Sequence, residues 1–156
     1  MLGRAGLRFA GRRLWGLATV TADAESYRPD PAGKFAIIAG AFEDNRLIDL
    51  AAMSVATRAL RRRWGEAVFL GDEASQYAGE TGRPLRVFSD PLGWVRNGCH
   101  GVVVLDWRRA PYRLADLPAI TCDSPRLALR LQRAFERPIP APILFAPQET
   151  ETRHAA

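Results

Sequence analysis

PLRVFSDPLGWVRNGCHGVVVLDW, residues 84–107, decides the fold, because each of its junctions carries the chemistry of a boundary between strand and helix. Leu85 to Phe88 is a short apolar run of β-favouring type, and Ser89-Asp90-Pro91 breaks it. Asp90 can cap the first free amides of a helix, and Pro91 suits its first position. Asn97-Gly98 is exit chemistry for that helix. Val102 to Leu105 is too continuously apolar for a half-exposed strand and predicts a central strand covered on both faces. Two strands joined through a helix favour parallel pairing with a right-handed crossover, and a connection of about a dozen residues is near the shortest that allows it.

Outward from that unit, FAIIAG and LIDLAAM flank Glu43-Asp44-Asn45 and predict an antiparallel hairpin. Met53 to Trp64 fits either a helix or a twisted strand, Thr57 to Trp64, paired with Ala67 to Leu70. Gly71-Asp72 opens a short helix through Ala78. Arg108 to Pro118 is irregular, and Ala119 to Thr121 is a brief edge strand. Ser124-Pro125 starts a second capped helix, whose Leu127, Leu131, Ala134 and Phe135 form an apolar stripe. The expected fold is α/β, an α+β arrangement with a mixed sheet: an N-terminal antiparallel meander joined to a parallel strand-helix-strand unit, with a C-terminal amphipathic helix.

The chain has 156 residues, 47% apolar and 25% charged, which is enough for one globular domain with a real core. The domain is placed at residues 35–137, after a basic extension and linker (1–34) and before a proline-rich tail (138–156). The net charge is +5, yet Arg4, Arg8, Arg12 and Arg13 supply four of those charges within the acid-free residues 1–22. The body is therefore nearly neutral. The opening MLGRAGLRFAGRRLWGLATV has the composition of a mitochondrial transit peptide or of a disordered leader. No run approaches the roughly 18–20 apolar residues that span a bilayer. With two cysteines only, a reducing compartment is expected, the bacterial cytoplasm, or the mitochondrial matrix if the leader is a transit peptide.

Three features could carry chemistry. Asp72, Asp90 and Asp106 each follow a strand, and acids gathered at the carboxyl ends of parallel strands can hold magnesium for phosphoryl transfer. Asp72 and Asp90 are also accounted for as helix caps, and Asp106 as a strand terminator. Cys99-His100 pairs a thiol with an imidazole, but neighbours on an extended chain face opposite ways, and Cys122 and His154 have no metal-motif spacing. Arginine is the third: 21 arginines stand against the single Lys34. Arg61 and Arg62 lie beside Trp64, and Arg126, Arg130, Arg133 and Arg137 share one flank of the last helix. Guanidinium groups bind phosphates, and an exposed indole stacks on bases.

Residues 35–135 resemble small proteins of bacterial prophages and other mobile elements that have no assigned activity, and PLGWVRNGCHGVVVLDW carries most of the similarity. The resemblance implies a context, with a bacterial start rather than a transit peptide, and no reaction. The layout is also similar in outline to the Toprim fold of primases and topoisomerases. That fold expects Asp-x-Asp at one strand end, whereas Asp106 is followed by Trp107 and Arg108, so its activity is not carried over. The expectation is a non-enzymatic accessory or nucleic-acid-associated protein without a cofactor, whose contacts are Arg61, Arg62, Trp64, Arg126, Arg130, Arg133 and Arg137. The rivals are a magnesium-dependent phosphohydrolase or nuclease built on Asp72, Asp90 and Asp106, and a structural subunit of a larger assembly.

Overall fold

The computed structural model describes residues 8–10 and 13–136, with side chains from Trp15 onward. Arg137 and the tail expected over 138–156 lie outside the described residues, as do residues 1–7 of the basic extension. Strands β1 (Arg8–Ala10), β2 (Arg13–Ala22), β3 (Tyr27–Pro29), β4 (Lys34–Glu43), β5 (Arg46–Ser54) and β6 (Leu60–Arg62) form one antiparallel sheet, in the order β1-β2-β4-β5-β6 with β3 paired to β2. Residues 13–34 are therefore no extension or linker, a correction to the sequence reading: Trp15 to Val20 pair with Ala39 to Lys34. Arg13 is the only arginine of β2, and the rest of that strand is the apolar and small run LWGLATVTA.

The β4–β5 hairpin is the expected one, turned by Asp44 and Asn45 at φ 47° and 65°. Positive φ at both central residues gives the twist that a tight hairpin needs. Met53 to Trp64 takes the strand alternative, with β6 paired to β5 through Ala51–Arg62 and Ala52–Arg61, rather than to residues 67–70. A single parallel bridge between Ser26 and Arg62 then joins the start of β3 to β6 and curls the sheet almost shut.

The second sheet holds β7 (Phe69–Leu70), β8 (Leu85–Phe88), β9 (Val102–Val104) and β10 (Ile120–Cys122), in the order β10-β8-β9-β7. Strands β8, β9 and β10 are parallel and β7 is antiparallel. Helices α1 (Asp72–Thr81), α2 (Pro91–Arg96), α3 (Ala110–Leu114) and α4 (Pro125–Phe135) connect or follow them, α3 lying within the stretch expected to be irregular. As the sequence predicts, Asp90 caps α2 by accepting from the N–H groups of Leu92 (2.8 Å) and Gly93 (3.0 Å). Ser124 caps α4 through the N–H of Leu127.

The unbroken valines of β9 are explained by burial on both faces. One face packs Val87, Val102 and Val104 against Leu114 of α3 and Leu127 and Leu131 of α4. The other packs Phe88, Val103 and Trp94 of α2 against Ala39, Ala41 and Ala51 of the curled sheet. Phe135, expected on the apolar stripe of α4, is instead exposed at the helix end. The Trp94 indole N–H donates to the Gly101 carbonyl (2.8 Å). Gly71 sits against the same carbonyl at φ 78°, and a Cβ there would stand 2.5 Å from it.

The two sheets are joined by residues 63–68, and one side chain holds that connection. Asp49 on β5 is wholly buried, and its carboxylate accepts five backbone N–H bonds, from Leu50, Arg63, Trp64, Glu66 and Ala67, at 2.8–3.2 Å. Asp49→Asn puts an NH2 against N–H donors at one oxygen position, leaving them unsatisfied and costing about 2–6 kcal/mol. The expected result is a fall of the urea midpoint with an unchanged m-value.

Candidate functional site

Because β8, β9 and β10 are parallel, their carboxyl ends share one edge of the sheet, and Asp90 and Asp106 lie there. Asp72 follows β7, which runs the other way, and so stands at the opposite edge. The three acids proposed for magnesium do not converge. The sequence could not show this, since a two-residue strand gives no sign of its direction. Each acid also has its own partners. Asp90 is spent on the cap of α2. Asp72 is not a cap, because Gly71 occupies that position and no side chain caps α1. Its carboxylate instead receives Arg113 (2.9 Å) and Gln76 (3.1 Å). Burial pushes its pKa up, against the pull of Arg113.

Asp106 meets a residue that the sequence reading assigned to a different function. Its Oδ2 accepts from Arg62 (3.0 Å) and from Nε of Arg109 (2.8 Å), and its Oδ1 accepts from the N–H groups of Arg108 and Arg109. Arg62 Nη1 donates also to the Gly65 and Ala67 carbonyls of the loop between the sheets, and Arg109 Nη2 to those of Gly65 and Glu66. Arg62 and Asp106 are thereby structural and neutralise one another. Arg62, expected among the phosphate contacts, is held by Asp106 through Nη1.

Cys99 and His100 form no catalytic pair. Cys99 adopts φ 60° in the turn after α2 and is half-buried against the Trp94 cluster, and His100 is exposed. Cys122 packs partly buried on the opposite face of the sheet. Among the described residues no group of three His, Cys, Asp or Glu side chains could hold a metal ion.

The arginines divide by location. Arg126, Arg130 and Arg133 lie exposed on α4, and none has an ion-pair partner among the described residues. Arg130 lies flat on Trp107, its guanidinium carbon 3.8 Å from the ring centre. Burial, with Arg126 close by, pulls the Arg130 pKa down. Trp107 follows Asp106 and also lines a hollow of about 290 Å3 with Arg61, Arg62 and Arg108. Through this one indole, α4 and β6 face the same edge of the structure. Trp64 is exposed on the connecting loop, where only its backbone N–H is engaged, by Asp49.

The same edge contains the switch point of the sheet, where adjacent strands send their connections to opposite faces and where open α/β sheets bind ligands. After β8 the chain turns to α2 on one face, and after β10 to α4 on the other. Between them Ser89 donates through N and Oγ to Asp123 (2.8 and 2.6 Å), and its hydroxyl lies 3.1 Å from that of Ser124. Trp107 and Asp123, at this edge, were not among the candidates read from the sequence. The repeat of Ser89-Asp90-Pro91 as Asp123-Ser124-Pro125 was the available signal, since two parallel strands each ending in cap chemistry must place those caps side by side.

No protein-family model, curated protein or solved structure matches this chain. No helix among the described residues is long and apolar enough to cross a membrane.

Burial disfavours ionised Asp106, but its bonds from Arg109 and the backbone, with Arg62 nearby, outweigh that and lower its pKa from 3.8 to about 2. A folded-state pKa below the unfolded one contributes stability above the unfolded value and loses it as pH falls through the folded value. Unfolding free energy should therefore decline between about pH 4 and pH 2, and Asp106→Asn should remove part of that decline in acid-titrated urea melts.

Proposed function

We propose that this chain is a non-enzymatic, nucleic-acid-associated accessory protein of a bacterial mobile element, working in the cytoplasm and binding phosphates through the arginines of α4 and the Trp107 edge. The observation that carries this reading is Arg130, which is stacked on Trp107 and partly desolvated beside a second cation, Arg126, with no acid to pair it. A guanidinium held against an indole is pre-oriented, so less side-chain entropy is lost when it takes a phosphate. Asp106 at this edge is consumed by Arg62 and Arg109, and Glu25 is the other acid that lines the hollow. Arg61 and Arg108 line the adjoining hollow and extend the cationic surface from α4 toward the curled sheet. Trp107 and the exposed Trp64 offer faces on which bases can stack, a sequence-tolerant mode suited to single strands. The mobile-element context comes from the resemblance carried by PLGWVRNGCHGVVVLDW.

The test is fluorescence anisotropy of a labelled single-stranded oligonucleotide over a salt series. Changing Arg126, Arg130 and Arg133 together to Glu should weaken binding at least tenfold, and should reduce the slope of log K against log salt by about 2 if three phosphate contacts are lost. Trp107→Ala should weaken binding with a smaller change of slope, since it removes the platform and not the charges. An unchanged affinity and slope in the triple variant means that this edge does not bind nucleic acid.

A further inference from the structure

The curled sheet is open at one end, and its mouth is a cavity of about 420 Å3. The volume follows from the sequence. Ala22, Ala36, Ala52 and Ala59 line it, where larger side chains on the same inward positions would have filled the curl. Small residues alone would be a packing matter, but Tyr27 makes the cavity a site. Tyr27 lines it, is only 5% exposed, and no described residue hydrogen-bonds its hydroxyl. Buried phenol hydroxyls usually find one. Burial raises the Tyr27 pKa to about 12, against the pull of Arg63, so the group remains an O–H donor and acceptor at any physiological pH. Arg63 stands over the Tyr27 ring at 5.8 Å and fixes its plane.

The rim adds two kinds of group. Phe35 is 67% exposed there, an apolar face left open to water. Lys34 and Arg61 are the cations of the rim. Arg61 uses Nε on the Asp23 carbonyl and Nη1 on the Leu60 carbonyl, which leaves Nη2 with no acceptor among the described residues. The rim acid Asp23 is already saturated by Ser26 and the N–H of Glu25. An apolar chamber with one buried hydroxyl and cations at its entrance fits a flat ring bearing hydrogen-bonding edges and an attached anion. Arg61 also lines the Trp107 hollow, so the two concavities are neighbours across one side chain.

We propose that the mouth of the curled sheet is a nucleotide pocket, taking one base of a bound single strand against Tyr27 and Phe35, with the attached phosphate on Arg61 and Lys34. This inference rests on the nucleic-acid reading above and adds the place where a base is received. It makes Tyr27 a specificity-determining residue, because its hydroxyl meets the edge of the inserted base.

The experiment compares a 12-nucleotide deoxythymidine strand with an abasic strand of the same length, using the full chain. Wild-type protein should bind the intact strand about tenfold more tightly, within the range that one stacked base supplies. Ala59→Leu, which fills the mouth, should narrow that difference to what stacking on Trp107 and Trp64 supplies. Tyr27→Phe, which keeps the packing, should narrow the difference without affecting the abasic strand. Equal binding of the two strands by wild-type protein overturns the pocket while leaving the arginine edge standing, as does a difference that Ala59→Leu leaves undiminished. If neither strand binds, the arginine reading fails by itself, and thymidine monophosphate decides the pocket. Amide shifts at Tyr27, Ala36 and Ala52 on its addition support the pocket, and their absence overturns it.

Discussion

The Asp49 carboxylate is the constraint on which the rest of this structure depends. A curled antiparallel sheet and a mixed sheet are linked by a short loop whose Trp64 and Glu66 reach the surface while its backbone turns to buried polar partners. Asp49 takes the amide side of that loop, accepting from residues 63, 64, 66 and 67. Arg62 and Arg109 take the carbonyl side, donating to residues 65, 66 and 67, and Asp106 holds both guanidinium groups in place. Bonds to charged groups contribute about 1.5–3 kcal/mol each, while an orphaned buried donor costs a similar amount. The loop is thus gripped by an acid below and by two bases above.

That grip depends on small side chains. Ala39, Ala41 and Ala51 let the curled sheet approach Phe88, Trp94 and Val103 closely, and Asp49 projects from the same face of β5 as Ala51. A large residue at Ala51 would separate the sheets and withdraw the carboxylate from the loop. Just before β9 a glycine does the equivalent work. Gly101, at φ 120°, lies where a Cβ would be 2.4 Å from the Arg86 carbonyl, and its own carbonyl anchors the Trp94 indole.

What could be read from the sequence was what local chemistry decides. Asp90-Pro91, the valines of β9, the Asp44-Asn45 turn and the Ser124 cap each act within a few residues, and the structure has them as expected. What could not be read depends on distant partners. β2 passed for part of a basic leader because its pairing with β4 is set by residues about twenty positions away. Asp106 and Arg62 were assigned to rival functions because nothing in 44 residues of separation shows that they meet. Trp107 drew no notice for the same reason, as its partner Arg130 is on another element.

Net charge misleads here for a reason that the ion pairs make plain. The body carries almost as many acids as bases, which argues against binding an anion if the charges are averaged. They are not evenly placed. Asp106 is consumed by Arg62 and Arg109, and Asp72 and Glu43 share Arg113, so these acids are neutralised where they stand. Asp123 turns its carboxylate to Ser89. Arg61, Arg108, Arg126 and Arg130 form no ion pair among the described residues and lie around Trp107, and a field focused on one edge acts on a phosphate irrespective of the sum over the surface. The interior that consumes the acids is therefore also what leaves the edge positive, and the packing of the loop and the chemistry of the surface follow from the same residues.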